Sequence, residues 1–169
     1  MIETKNVDIG VIGVAGKMGK EICKSILSTN GSILKAGLEK NNSEYIGTDI
    51  GDVIGSSRLG ISITNDIDEF YNNVDVVIEF SNPKSTAENL NNCIMKNKCF
   101  VSGTTGIDYL IMERMKNAST KIPVLWSPNM SIGANVAINS VEKIAAQLNE
   151  DFDIEITEHH HKYKKDMPS

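Results

Sequence analysis

Short apolar segments alternate along this chain with amphipathic stretches, and this alternation restricts the fold more than any other feature. The segment VDIGVIG (7–13) is typical of a buried strand, and KMGKEICKSILST (17–29) carries its apolar residues at helical spacing. Further strands are predicted at 32–39, 61–64, 74–80, 98–103 and 122–126, and further helices at 66–72, 84–96 and 108–118. Such an alternation predicts an α/β fold with a doubly wound parallel sheet and helices on both faces.

Three stretches depart from this regular pattern. Residues 40–60 are rich in Gly, Asn and Ser and predict a long loop. The segment 131–150 predicts a long helix with Ser131 as its N-cap. After it, DFDIEITE (151–158) alternates apolar and polar residues, as a strand with one buried face does.

The composition indicates a packed protein without a broad basic surface. Of 169 residues, 40% are hydrophobic and 23% are charged, and the formal net charge is -5. This charge argues against nucleic acid or an anionic membrane as the main partner. Three cysteines without CxxC spacing, a polar N-terminus and the lack of an apolar run of roughly 18–20 residues favour a cytoplasmic protein.

The first strand ends in a glycine turn that opens directly into a helix. In GVAGKMG the glycines are Gly13, Gly16 and Gly19, a variant of the commoner GxGxxG spacing. Glycine lets a backbone approach a pyrophosphate, whose charge is then held at the helix N-terminus. Glu39 ends the second strand 20 residues after Gly19, where an acid would accept hydrogen bonds from an adenosine ribose. The sheet is therefore expected to be Rossmann-like, although a turn packed for its own sake is the alternative.

Two later loops also follow predicted strands, where ligands of parallel sheets bind. SGTTG (102–106) has small residues that would let a flat ring approach the backbone. SPNMSIGAN (127–135) leads into the long helix, and its Asn129 could bond an amide. For each loop alone, an ordinary connection rich in Gly, Ser and Asn explains the composition equally well.

All three histidines stand together in EHHHKYKKDMPS (158–169). Adjacent histidines on an extended chain point in opposite directions, and no cysteine or separated His–Glu pair supports a metal site. A tag remnant, a solvated basic loop and a phosphate or nucleic-acid patch are further alternatives. The functional interpretation is a histidine and a lysine that hold a substrate with two carboxylates and supply a proton.

These motifs together resemble the 4-hydroxy-tetrahydrodipicolinate reductase (dihydrodipicolinate reductase) family. The family signature runs Glu, any residue, His, His, any two, Lys, any residue, Asp, any residue, Pro, Ser, Gly, Thr. The chain fills it in register up to Ser169, with His159 at a variable position. The resemblance implies hydride transfer from NADH or NADPH to a cyclic imine dicarboxylate, which gives tetrahydrodipicolinate in diaminopimelate and lysine biosynthesis.

The resemblance also assigns residues. His160 and Lys164 would be the catalytic proton donors, His161 would contact the substrate, and no metal is implied. The residues expected around the pyrophosphate are Gly13, Val14, Ala15, Gly16, Lys17 and Met18, and those expected at the ribose are Glu39 and Lys40. The residues expected along the nicotinamide are Gly103, Thr104, Thr105, Ser127, Pro128, Asn129 and Met130. Glu39 favours NAD, whereas Lys17 and Lys40 could neutralise the extra phosphate of NADP, so the preference stays open.

The chain departs from the family in its length. The signature's final Gly-Thr and roughly the last third of the family's length are absent after Ser169. We therefore expect a dinucleotide-binding domain at 1–129 without its C-terminal return segment, and at 130–169 the start of an α+β substrate and oligomerisation domain, truncated here. The 169 residues alone are expected to be inactive, and the full-length family member is expected to be a homotetramer.

Two other function classes remain open at this point. One is a non-catalytic dinucleotide-binding module, such as a redox sensor, or an inactive truncated fragment. The other is a semialdehyde dehydrogenase, which would need a catalytic cysteine in a loop after a strand. Cys99 lies inside a strand pattern, and Cys23 and Cys93 lie on predicted helices, so the residues disfavour the second.

Overall fold

A computed structural model of the protein describes residues 6–148, 152–157, 159 and 162. The strands are β1 (Val7–Ile12), β2 (Ser32–Leu38), β3 (Ile63–Thr64), β4 (Val76–Glu79), β5 (Cys99–Ser102) and β6 (Val124–Trp126). The helices are α1 (Lys17–Ser28), α2 (Ile50–Ile54), α3 (Ile67–Asn72), α4 (Pro83–Lys96), α5 (Tyr109–Ala118) and α6 (Ile132–Ala145).

The six strands form one parallel sheet in the order β3-β2-β1-β4-β5-β6. The order reverses between β1 and β4, because the chain crosses from one half of the sheet to the other after β3. This is the strand order of a Rossmann-like fold, in which ligands bind beyond the carboxyl ends of the strands at the reversal point. The predicted fold class is thus confirmed.

The sheet has an apolar cluster on each face. Successive side chains of a strand point to opposite faces of the sheet, so Val11 of β1 belongs to one cluster and Ile12 to the other. On one face the sheet packs against α1 and α2, through residues such as Cys23 and Ile50. On the other face it packs against α3, α4 and α5, through residues such as Leu90. Helices therefore cover both faces, as a parallel sheet requires.

The prediction of a long loop over 40–60 was wrong in part, because this stretch contains the short helix α2. Asp49 caps α2 through Gly51 N, and its buried carboxylate also accepts hydrogen bonds from the N–H groups of Leu59, Gly60 and Ile61 at 2.7–3.1 Å. Among these contacts the Leu59 N–H contributes most to holding the pKa of Asp49 below its ordinary value, and burial opposes the effect. The Asp49 side chain therefore holds the two ends of a polar segment, Gly51 and residues 59–61, together by hydrogen bonds.

The described residues pack into two units that divide between Trp126 and Ser127. In the second unit α6 is N-capped by Ser131, whose hydroxyl accepts from Ala134 N, as predicted. Residues 152–157, predicted as part of a strand, have no strand structure and exposed side chains. A strand needs a neighbour for its N–H and C=O groups, and the described part of this unit contains no other strand. Within the residues described, no helix is long and apolar enough to span a membrane.

Candidate dinucleotide-binding site

The glycine turn between β1 and α1 needs glycine for two different reasons. Gly13 has φ +73°, the left-handed region that favours glycine, and its N–H donates to Leu38 O at 2.9 Å. At Gly19 the reason is space, because a Cβ there would lie 2.2 Å from Gly13 O and 2.8 Å from Val14 Cα. The glycine turn thus packs against the first turn of α1, and there is no room for a side chain at Gly19.

The N-terminus of α1 is open to solvent. Gly16 is the N-cap and has no side chain to bond the first turn, and Lys20 N donates to Gly16 O at 3.0 Å. The N–H groups before Lys20 have no acceptor within a helix that begins at Lys17, and they carry the positive end of the helix dipole. Gly16, Lys17 and Met18 are exposed, so a phosphate group could reach these N–H groups.

Two of the predicted pyrophosphate residues make other contacts. Val14 is fully buried and packs into the apolar cluster beneath α1, so only its backbone is available to a ligand. Ala15 N donates to Glu39 Oε1 at 3.0 Å. Since that N–H already has an acceptor, the phosphate-binding capacity of the turn rests on the helix N-terminus.

Glu39 follows β2 and joins the glycine turn to the sheet edge. Its own N–H donates to Thr64 O at 2.9 Å, and its half-buried carboxylate accepts from Ala15 N. Lys40 beside it is exposed. Because a carboxylate accepts more than one hydrogen bond, Glu39 can also accept from the hydroxyls of a ribose placed beside the turn.

Clefts lie on both sides of Glu39. One, of about 410 Å³, extends from Gly13 and Glu39 to the first turns of α4, and Asn89 is part of its lining. The other, of about 400 Å³, lies between Ala15 and residues 42–45. The predicted pyrophosphate and ribose residues thus adjoin spaces of the size that small ligands occupy.

Asn89 is a residue of this site that the sequence analysis missed. Its side chain lines the cleft on α4, and the residue is only 8% exposed. Its Nδ2 has no hydrogen-bond partner within the described chain, which is costly for a buried amide. This nitrogen is itself shielded from solvent, so a ring nitrogen in the cleft could accept from it only after the amide rotates toward the opening. The glycine turn, which has no room for a Cβ at Gly19, and the open N-terminus of α1 beside it make the site fit a dinucleotide.

The loop after β5 holds three of the residues expected along the nicotinamide. Gly103 and Thr104 are buried and Thr105 is exposed. A Cβ on Gly103 would lie 1.9 Å from Cε1 of Phe80, so the glycine accommodates that ring. Thr104 O accepts from Trp126 Nε1 at 3.0 Å, and its hydroxyl lies against a buried carboxylate. Of these three residues, Thr105 is therefore the one whose side chain a ligand could reach.

Residues 127–130 belong to the second unit and cap its helix. Asn129 Oδ1 accepts from Ser131 N at 2.9 Å, and Asn129 O accepts from Ser127 Oγ at 2.9 Å and from Asn135 Nδ2 at 3.0 Å. The side-chain oxygen of Asn129 is thus used at the start of α6. Pro128, Asn129 and Met130 are exposed.

The predicted catalytic residues His160 and Lys164, and the predicted substrate residue His161, lie outside the described residues. Of the same segment, His159 is described and exposed. In the described part of the chain, no group of three His, Cys, Asp or Glu side chains could hold a metal ion.

Comparison with known families identifies the chain at both ends. The family profile described as "Dihydrodipicolinate reductase, N-terminus" matches residues 7–130, which is more than half of the chain. The chain belongs to the dihydrodipicolinate reductase family. The profile described as "Dihydrodipicolinate reductase, C-terminus" matches residues 133–169.

Curated relatives carry the same name. A 4-hydroxy-tetrahydrodipicolinate reductase of Wolbachia pipientis subsp. Culex pipiens (strain wPip) is 42% identical over 164 residues, covering 96% of this chain. A second, of Wolbachia sp. subsp. Brugia malayi (strain TRS), is 39% identical over the same length. The chain spans 62% and 61% of these two relatives.

Solved structures show the same fold. A dipicolinate-bound dihydrodipicolinate reductase from Paenisporosarcina sp. TG-14 matches 97% of this chain and 62% of its own, with a TM-score of 0.73 and 23% identity. RSP, a Rex-family repressor, matches 85% of this chain and 61% of its own, with a TM-score of 0.56 and 13% identity. The fold therefore occurs both in reductases and in a repressor, and the family match separates the two.

Proposed function

We propose that this protein reduces 4-hydroxy-tetrahydrodipicolinate to tetrahydrodipicolinate with NADH or NADPH, in diaminopimelate and lysine biosynthesis. The observation that carries the proposal is the Glu39 carboxylate bonded to Ala15 N beside the open N-terminus of α1, in a chain of the dihydrodipicolinate reductase family. The family membership supplies the substrate class, a small dicarboxylate. The geometry supplies the reason why a dinucleotide binds.

The adenosine half of the cofactor would be held by groups of the first unit. The helix N-terminus at Lys17 and Met18 binds the pyrophosphate, and Glu39 accepts from the ribose hydroxyls. The Asn89 amide would have to turn toward the cleft to donate to a ring nitrogen of adenine, and this would remove the cost of its unpaired donor. Lys40 is exposed beside Glu39, where an ammonium group would also tolerate the ribose phosphate of NADP.

The nicotinamide and the substrate would be held by the loops and the histidine segment. When bound, the dinucleotide would supply a hydride to the unsaturated ring, and the 4-hydroxyl of the substrate would leave as water. Residues 103–105 and 127–130 line the ring, His160 and Lys164 supply the proton, and His161 contacts a substrate carboxylate. The family signature in the sequence supports these last three roles, since an imidazole and an ammonium group suit an anionic substrate that must be protonated.

Replacement of Lys164 tests the catalytic part of the proposal. In the natural gene product, Lys164→Ala should lower kcat for NADH oxidation by about 100-fold or more, a typical loss for a general acid, while the Kd for NADH stays unchanged. Lys165→Ala is the matched control, since it removes the same charge at a variable position of the signature and should leave kcat unchanged.

Other results would refute this assignment. If the natural gene product binds NADH but does not reduce the substrate, it is a non-catalytic dinucleotide-binding module. If both lysine variants lose kcat equally, the effect comes from net charge, and Lys164 has no specific role.

We further propose a division into a cofactor domain at 1–129 and a substrate domain from 130, a homotetrameric assembly and a cytoplasmic location. The two family profiles, which meet near residue 130, support the division. The reductase family supports the assembly and the location. Light scattering on the natural gene product would test the tetramer, and a monomeric mass at micromolar concentration would contradict it.

A further inference from the structure

Glu79, the last residue of β4, is a completely buried carboxylate surrounded by hydroxyl groups. Its Oε1 accepts from Thr86 Oγ1 at 2.9 Å and from Ser102 Oγ, and its Oε2 accepts from Ser81 Oγ and from Ser81 N at 3.2 Å. Thr104 Oγ1 lies 3.1 Å from both oxygens. Four side chains from three segments thus converge on one acid.

The arrangement places several hydrogen-bonding groups around one acceptor. The two oxygens of a carboxylate offer about four lone-pair positions, which matches the number of groups around Glu79. Among the contacts of Glu79 in the described residues, none is to a lysine or arginine. A buried carboxylate of this kind is stabilised by hydrogen bonds alone, and an apolar residue would usually serve stability better. The cluster is therefore better explained by what it holds in place.

The cluster ties together two loops at the carboxyl edge of the sheet. Thr104 Oγ1 accepts from Ser81 N at 2.9 Å, and Gly103 N donates to Glu79 O at 3.1 Å. Thr104 is thereby held to β4 through both its side chain and its neighbour's backbone, while Thr105 next to it remains exposed. These loops follow β4 and β5, where ligands of parallel sheets bind.

We propose that Glu79 is a positioning residue for the nicotinamide half of the cofactor. It fixes the loop at 103–105 so that the backbone and Thr105 meet the nicotinamide ring, and it does not contact the cofactor itself. The inference rests on the proposed dinucleotide binding. It goes beyond that proposal because it makes the selective binding of the nicotinamide end depend on one buried acid, Glu79.

Binding of NADH and of ADP-ribose, measured side by side, distinguishes the contributions of the two ends of the cofactor. ADP-ribose contains the adenosine, pyrophosphate and second ribose but lacks nicotinamide. In Glu79→Gln the amide would present two N–H groups to hydroxyl donors, which would displace the loop. The Kd for NADH should rise about tenfold, the usual effect of one misplaced polar contact, while the Kd for ADP-ribose changes less than about twofold.

Thr86→Val is the matched control. It removes one donor to Glu79 from α4 and keeps the side-chain shape, but it touches neither loop, so the ratio of the two Kd values should stay at the wild-type value. If Glu79→Gln does not fold, as judged by circular dichroism, Ser102→Ala provides the same test with a smaller expected effect. It removes a donor to Glu79 and the acceptor of Thr104 N.

The outcomes distinguish the two proposals. A wild-type chain that binds neither ligand would refute both the dinucleotide site and this inference. If the wild type binds both NADH and ADP-ribose, and Glu79→Gln changes the two Kd values equally or not at all, the inference alone is overturned. Equal wild-type affinity for NADH and ADP-ribose would also overturn it, since the nicotinamide would then make no selective contact.

Discussion

Gly19→Ala should damage both the stability of the fold and the binding of the dinucleotide. The added Cβ would lie 2.2 Å from Gly13 O, about 1.2 Å closer than the 3.4 Å at which ordinary contact begins. Two further backbone atoms, Val14 Cα and Gly13 C, lie within 2.9 Å. Because all three are backbone atoms, no side chain can rotate away, and the turn itself must move off the helix.

The magnitude follows from two opposing terms. Overpacking of this kind costs about 1–3 kcal/mol, and alanine in place of glycine within a helix returns up to about 1 kcal/mol. The free energy of unfolding should therefore fall by up to about 3 kcal/mol. A turn displaced from the helix N-terminus should also lose one or two charge-assisted hydrogen bonds to the pyrophosphate, which makes NADH binding about 10- to 100-fold weaker.

Urea unfolding and NADH fluorescence titration measure the two effects. Gly133→Ala is the control, since a Cβ there meets nothing within 4 Å on α6, and it should change neither quantity adversely. Gly16→Ala should be intermediate, because its Cβ would lie 3.1 Å from Gly13 O. A Gly19→Ala variant that unfolds at the wild-type urea concentration and binds NADH within twofold of wild type would contradict this prediction.

Three more results are expected. Asn89→Leu should weaken ADP-ribose binding in calorimetry by about five- to tenfold without lowering the urea midpoint, since it removes an unpaired buried donor; unchanged affinity would contradict its role at adenine. Asp49→Asn should lower the urea midpoint at pH 7. In wild type the stability from Asp49 is complete above its unfolded pKa of about 3.9 and is lost as pH falls through the lower native pKa, so the variant should show a flatter acid limb, and parallel limbs would exclude this contribution. Burial raises the pKa of Cys23 and of Cys93 to about 12, so a thiol reagent at pH 8 should label the half-buried Cys99 first, and the other two only on unfolding; rapid labelling of all three in the native protein would show that the core opens.

Much of the fold follows from local sequence patterns. The apolar run of β1, the helical spacing of α1 and the cap at Ser131 each depend on residues close in sequence, and each is found where it was predicted. The positions of Gly13 and Glu39 also follow from local order, because a strand, a glycine turn, a helix and a second strand bring them to the same edge of the sheet. The family signature identified the chain in the same local way.

The sequence alone therefore determined the parallel sheet, the glycine turn and the family, since periodicity and short motifs need no distant partner. Only the tertiary structure decided that Asp49 bonds the backbone of a polar segment around α2, that the buried amide of Asn89 has an unpaired nitrogen, and that Glu79 accepts from hydroxyls of three segments. In each case the role of a polar residue depends on the donors or acceptors that surround it after folding. Those partners can be as far as 25 positions away in the chain.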